Sequence, residues 1–253
     1  MTFIGIIPAR YASTRFPGKP LAMLGGKYVI QRVYEQVVSV LGRAYVATDD
    51  QRIYDAVTEF GGKAVMTSPN HKSGTDRIQE AVTKIEGGFD VVVNIQGDEP
   101  FINRSQIETV CRCFDDDNTQ IATLGKPFGN DWHAIENPNS PKIAVDNNGY
   151  AMYFSRSVIP FVRGKKHQQW AESYPFLKHI GLYAYRTSVL KEITSLPQSS
   201  LEKAESLEQL RWLQNGYKIK VGLTDLETVG IDTPEDLARA EQFLAEQQTK
   251  IDV

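Results

Sequence analysis

The chain has 253 residues, a formal net charge of −3, 41% hydrophobic and 23% charged residues. That length allows one large domain or two small ones with a sizeable core, and the composition is that of an ordinary globular protein. The acidic balance argues against a general nucleic-acid binder, and no apolar run reaches the about 18 residues that a membrane span needs.

The first element predicted is a buried strand at Phe3-Ile4-Gly5-Ile6-Ile7. It runs into Pro8-Ala9-Arg10-Tyr11-Ala12-Ser13-Thr14-Arg15-Phe16-Pro17-Gly18-Lys19-Pro20, a loop with three fixed cations. Loops at strand ends are where open α/β sheets bind ligands. Arg10 and Arg15 offer forked, permanently charged donors and Lys19 a mobile point charge, a set suited to a polyphosphate. The loop is not a Walker A motif, because Pro20 stands where Ser or Thr is required, and no G-x-G-x-x-G occurs. The plain alternative is a solvated basic loop.

Helix and strand signals then alternate. Val29, Val33, Val37 and Val40 recur at helical spacing, Ala44 to Thr48 is a strand, and Asp49-Asp50 opens a helix to Phe60. Lys63 to Met66 is a third strand, and a helix with Ile78, Ala81, Val82 and Ile85 as its stripe follows Ser73-Gly74-Thr75. Phe89 to Gln96 reads as a central strand buried on both faces. Such alternation predicts an α/β fold with a mostly parallel sheet. Further on, Lys142–Val145 and Tyr150–Phe154 read as a hairpin and Gly181–Tyr185 as a strand. Arg163 to Tyr174 reads as a polar, mobile surface segment. Helices at about 203–215 and 234–248 flank a strand from Tyr217 to Leu223. This predicts one domain over 1–253 with an antiparallel subregion at about 127–190.

Three further runs carry chemistry. In Asn94-Ile95-Gln96-Gly97-Asp98-Glu99-Pro100, Asp98 lies just past the central strand and can hold Mg²⁺, which takes one or two carboxylates plus substrate phosphates. In Gly230-Ile231-Asp232-Thr233-Pro234, Thr233 can cap a helix while Asp232 faces the site. In His71-Lys72-Ser73-Gly74-Thr75-Asp76-Arg77, the hydroxyls of Ser73 and Thr75 can cap a helix or meet a ligand. On one helix from Ala204 to Gln214, the side of Ala204, Leu207, Leu210 and Leu213 would be buried. Glu205, Glu208, Gln209 and Trp212 would share the opposite arc, either solvated or gripping a sugar. Cys111 and Cys113 read as ordinary thiols of a reducing cytoplasm, and the N-terminus lacks the pattern of a secretory signal.

Together these runs resemble the 3-deoxy-manno-octulosonate (Kdo) cytidylyltransferase family, in family order from residue 3 to about 240. The matching runs include Asn137-Pro138-Asn139, Gly149-Tyr150-Ala151-Met152-Tyr153-Phe154-Ser155-Arg156, His179-Ile180-Gly181-Leu182-Tyr183 and Leu207-Glu208-Gln209-Leu210-Arg211. The resemblance implies a glycosyltransferase-A-like, Rossmann-related nucleotidyltransferase fold and a cytoplasmic homodimer. It implies transfer of CMP from CTP to the acidic eight-carbon sugar Kdo, with Mg²⁺, for the lipopolysaccharide inner core. By matched position, Arg10, Ser13, Arg15 and Lys19 would hold the triphosphate. Ser73 and Thr75 would lie near cytosine, and Asp98 and Asp232 would hold the metal. Gln96, Arg156, His179, Tyr183, Glu208 and Gln209 would line the sugar pocket. The alternatives are a cytidylyltransferase for 8-amino-Kdo or sialic acid, or a non-catalytic nucleotide binder of the same fold.

Overall fold

Continuous apolar runs make the strands of the first half, and spaced ones make its helices. In chain order these are β1 (Phe3–Ala9), a short hairpin β2 (Met23–Leu24) and β3 (Lys27–Tyr28), α1 (Val29–Leu41), β4 (Ala44–Thr48), α2 (Gln51–Glu59), β5 (Ala64–Met66), α3 (Gly74–Lys84), β6 (Val91–Asn94) and α4 (Arg104–Arg112). The second half adds β7 (Ile121–Pro127), α5 (Trp132–Glu136), β8 (Lys142–Val145), β9 (Ala151–Ser155), α6 (Trp170–Ser173), β10 (Leu177–Arg186), α7 (Thr187–Thr194), α8 (Ser200–Glu205), α9 (Gln209–Gln214), β11 (Ile219–Leu223) and α10 (Pro234–Ile251). This computed structural model describes residues 1–227 and 230–251. They form two compact units: Met1–Ile107 with the C-terminal segment, and Glu108–Glu227.

In the first unit, β1 pairs in parallel with both β4 and β6, and β4 pairs in parallel with β5. The order is therefore β6-β1-β4-β5, with the chain reversing direction across the sheet at β1. Strands β1 and β6 are almost wholly buried, as expected for parallel strands covered on both faces. Helix α1 buries Val29, Ile30, Val33, Tyr34 and Val37, each aliphatic side chain contributing roughly 1.5–3 kcal/mol. It ends at Gly42, whose φ of 69° suits the left-handed cap. Asp50 and Ser73 cap α2 and α3 by accepting from Arg52 N and Asp76 N. Leu24, Val29, Ile231 and Ala240 form one core cluster, which fixes the start of α10 to this unit.

In the second unit, β10 pairs antiparallel with β7 and β8, β8 with β9, and β11 pairs in parallel with β7. The expected α/β class, with a parallel sheet and an antiparallel subregion, is what forms. Three local expectations change. Residues 163–169 are exposed, as expected of a polar surface segment, but Trp170 and Ala171 are buried in a cluster with Ile135 and Phe176, and α6 begins at Trp170. The expected helix over about 203–215 is two short helices, broken at Ser206 with φ 52° and ψ 47°. The break turns Gln209 and Trp212 inward, where both are buried, and leaves Ala204 exposed. Finally, β6 is shorter than Phe89 to Gln96, and β7 is a strand beyond those expected from the sequence.

Candidate active site

The C-terminal ends of β1 and β6 lie side by side, at the point where the sheet order reverses. Gly97 is required there: a Cβ would stand 2.9 Å from the Pro8 carbonyl oxygen. A cavity of about 460 Å³ opens over these ends, within the range of small-molecule sites. Arg10, Ser13, Arg15, Lys19, Ser73, Gln96, Asp98 and Asp232 line it. Thr75 does not; it is buried in the first turn of α3.

The floor is a charge cluster. Lys19 Nζ donates to Asp98 Oδ2 at 2.6 Å and to Asp232 Oδ1 at 3.1 Å. Arg15 meets the other oxygen of Asp232 at 3.0 Å. Backbone geometry brings the two aspartates together. Ile231 is wholly buried and its N–H donates to the Asp98 carbonyl at 2.8 Å. The next residue, Asp232, is thereby delivered beside Asp98. Asp236 then accepts from the backbone N–H of Asp232 and Thr233, while Thr233 Oγ1 accepts from Asp236 N, a reciprocal cap that starts α10. Two carboxylates within hydrogen-bond reach of one ammonium form an oxygen-donor pair of the kind a hard divalent cation uses, with substrate phosphates completing its shell. The donor set therefore fits Mg²⁺.

Sequence reasoning quoted His71, Lys72 and Arg77 in a motif but gave them no role, and all three line the cavity. Arg77 is buried, donating to Thr67 Oγ1 at 2.6 Å and Asp49 Oδ2 at 2.9 Å. The signal available was the cation closing Ser73-Gly74-Thr75-Asp76-Arg77. Glu99 was also passed over. Burial, reinforced by the charge of Asp98, pushes its carboxyl up to about 8, so it adds no charge to the cluster at neutral pH.

The second unit holds a different kind of cluster. His179 stands edge-on to Phe154 at 5.2 Å and tilted against Tyr183 at 5.4 Å, and Tyr183 meets Trp212 edge-on at 5.2 Å. Burial pushes the His179 imidazole down to about 3 and the Tyr183 phenol well above its usual value, so both are neutral at pH 7. His179 Nε2 lies 3.2 Å from Thr123 Oγ1. The Tyr183 hydroxyl, Gln209 Nε2 and Trp212 Nε1 are buried polar groups without a protein partner, open to a water or a ligand. Glu208 pairs loosely with Arg211 at 3.6 Å. Arg156 is already engaged: Nε donates to Glu205 O at 2.7 Å and NH1 to Pro138 O at 3.0 Å.

The chain is similar to known proteins over nearly its whole length. A family model described as cytidylyltransferase matches residues 4–219. A 3-deoxy-manno-octulosonate cytidylyltransferase of Bacteroides thetaiotaomicron is 69% identical over 96% of this chain and 98% of its own. An 8-amino-3,8-dideoxy-manno-octulosonate cytidylyltransferase of Shewanella baltica is 46% identical over 95% of this chain and 97% of its own. A solved structure of CMP:2-keto-3-deoxy-manno-octonic acid synthetase complexed with CTP superimposes with a TM-score of 0.90 at 42% identity, covering 98% of this chain and all of that one. Similarity of this extent, over nearly the whole length, means that the chain belongs to the 3-deoxy-manno-octulosonate cytidylyltransferase family.

Proposed function

We propose that the protein joins CTP and Kdo to give CMP-Kdo and pyrophosphate, activating the sugar for the lipopolysaccharide inner core. The observation that carries this reading is the convergence of Lys19, Asp98 and Asp232 on one cavity at the ends of β1 and β6. A triphosphate needs fixed cations, and a nucleotidyl transfer needs them at the leaving group.

In the step, the anomeric hydroxyl oxygen of the sugar forms a bond to the α-phosphorus of CTP. The bond from that phosphorus to the β-phosphate breaks, pyrophosphate leaves, and the hydroxyl proton is released to water. Such a transfer depends on positioning and charge stabilisation. Arg10, Arg15 and Lys19 would grip the triphosphate and neutralise the departing pyrophosphate, Lys19 exchanging its carboxylate partners for phosphate oxygens. Ser13 would add a hydroxyl donor. Ser73 would meet cytosine, while Thr75, expected beside it, is buried in the first turn of α3 behind the cavity lining. Asp98 and Asp232 would hold Mg²⁺, which when bound supplies Lewis acidity at the phosphates and lowers the pKa of a hydroxyl beside it.

For the acid sugar we assign Gln96, Arg156, His179, Tyr183, Glu208 and Gln209. The unpartnered donors of Gln209 and Trp212 support the assignment. The whole chain acts as one nucleotidyltransferase domain in a cytoplasmic homodimer. We assign dimerisation to the antiparallel region at about 127–190, where Met152 and Phe161 are 67% and 72% exposed. Sedimentation at graded concentrations tests that assignment: a species that stays at monomer mass refutes it.

The second reading, transfer to 8-amino-Kdo, is favoured by the 46% identical relative of that specificity. The 69% identical Kdo relative favours the first. Pyrophosphate release from CTP with each acid separately decides: Kdo is expected to give the higher kcat/KM.

A further inference from the structure

The basic loop is anchored at its foot by a contact that the proposed chemistry does not use. Arg52, in the first turn of α2, lays its guanidinium over the Tyr11 ring, with Cζ 3.3 Å from the ring centroid. Asp50 aims it there. Arg52 Nε donates to Asp50 Oδ1 at 2.9 Å and NH2 to Oδ2 at 2.7 Å. The same carboxylate caps α2 by accepting from Arg52 N at 3.0 Å. The guanidinium is therefore held from a helix terminus, although Arg52 is 59% exposed.

Tyr11 in turn closes the loop. Its carbonyl oxygen accepts from both Ser13 N and Gly18 N, each at 2.9 Å. Its ring lies so close to Gly18 that a Cβ there would stand 2.9 Å from Tyr11 Cζ. Gly18 has a φ of 73°, and the next residue is Lys19, whose ammonium reaches Asp98 and Asp232. A continuous run of contacts thus leads from the start of α2 through Arg52, Tyr11 and Gly18 to the centre of the cavity. The turn at 12–17 that carries Arg15 hangs from it.

We propose that Arg52 is a positioning residue: stacked on Tyr11, it latches the loop in the conformation that offers Arg10, Arg15 and Lys19 to a nucleoside triphosphate. This rests on the reading of that loop as the nucleotide loop. Without the latch the loop samples more conformations, and apparent affinity falls in proportion to the competent fraction. An exposed cation–π contact corresponds to a factor of about 2 to 5. Arg52→Ala therefore raises KM for CTP by about that factor, while KM for the acid sugar and kcat at saturating CTP stay near wild type.

Limited trypsin digestion of the full chain, with cleavage at each bond followed by mass spectrometry, tests the latch directly. The Arg10–Tyr11 and Arg15–Phe16 bonds are cleavable and the Lys19–Pro20 bond is not, and the cut after Arg15, inside the turn at 12–17, is the one that reports the latch. Without nucleotide, that cut is expected about 2- to 5-fold faster in Arg52→Ala and in Tyr11→Leu, and at the wild-type rate in Tyr11→Phe, which keeps the ring. Cleavage after Arg163 is the internal control and stays constant. The Arg52→Ala, Tyr11→Leu double variant is expected to be no faster than Tyr11→Leu alone. Wild-type cleavage rates in Arg52→Ala would overturn the proposal, and so would effects that multiply in the double variant, because Arg52 would then act elsewhere. Added CTP is expected to slow the cut in every variant. If CTP gives no protection to the wild type while Arg52→Ala still opens the loop, the latch stands and the nucleotide reading falls.

Discussion

The two units use polar side chains in opposite ways. In the first, Lys19 and Arg15 together balance Asp98 and Asp232 at an open cavity, with 12%, 64%, 31% and 46% of their side chains exposed. In the second, His179, Tyr183 and Trp212 pack ring against ring, and the buried Tyr183 hydroxyl, Gln209 Nε2 and Trp212 Nε1 have no protein partner. A charge cluster that compensates itself, partly in water, costs the fold little until a stronger anion displaces its carboxylates. A buried donor without a partner costs about 1–3 kcal/mol until a ligand satisfies it. Substitutions in the first cluster should therefore act on turnover, and those in the second on stability and function in opposite directions.

The largest effect is expected from Asp98→Asn, which keeps size and removes charge. Its kcat should fall by more than the roughly 10- to 100-fold typical of groups that only orient a metal ligand, with the thermal midpoint within a degree or two of wild type. Asp232→Asn should behave likewise. The double variant should lose less than the product of the two, because residues that act as a unit are non-additive. Losses that simply multiply would separate the two carboxylates.

Arg15→Ala comes next. Losing a charge-assisted grip worth about 1.5–3 kcal/mol should weaken CTP binding by roughly 10- to 100-fold in titration calorimetry. The fold should survive, since Arg15 lies at the surface in a single exposed ion pair. Unchanged CTP affinity would remove Arg15 from the site.

Gln209→Met sharpens the contrast most. It removes a buried amide whose Nε2 has no partner and keeps its volume. Its thermal midpoint should hold or rise, while KM for the acid sugar rises about 2- to 10-fold, the worth of one net hydrogen bond. A drop in stability with no change in KM would make Gln209 a structural residue.

The smallest effect is pH-dependent. His179 is neutral in the folded protein because burial holds its imidazole near 3, against about 6.5 unfolded. Between these values the unfolded chain binds the extra proton. Stability is therefore unaffected above about pH 6.5 and falls as pH drops toward 3, by at most about 1.4 kcal/mol per unit. Denaturant titrations at pH 7 and 5 should show His179→Gln losing less than wild type. Equal losses would mean that the ring takes up its proton without cost.

The same contrast explains what was legible in the sequence. The residues proposed for the nucleotide and metal lie in short contiguous runs: Arg10 to Lys19 after β1, Ser73 and Thr75 at the start of α3, Asp98 after β6, and Asp232 before α10. Local motifs therefore carry most of them, leaving His71, Lys72 and Arg77 of the cavity lining, and Glu99 beside Asp98, without a role. The residues proposed for the sugar follow β6 and β9, lie in β10 and stand at the start of α9, so no single run holds them. Helical periodicity misled there because Ser206 takes a left-handed conformation, which splits one expected helix and turns Trp212 from an outward arc into the core. Trp170 was lost in a polar stretch for a related reason: one indole with Ile135 and Phe176 around it makes a core cluster with no periodic signal.

The central claim is that the cavity over β1 and β6 serves cytidylyl transfer to an acidic eight-carbon sugar. The most direct test is pyrophosphate release from CTP and Mg²⁺ with Kdo, 8-amino-Kdo or sialic acid as acceptor, measured for the wild type beside Asp98→Asn. The account predicts stoichiometric pyrophosphate and CMP-Kdo with the wild type, highest kcat/KM for Kdo, and collapse in Asp98→Asn. Tight CTP binding with no pyrophosphate released from any acceptor, or turnover that survives Asp98→Asn, would contradict it.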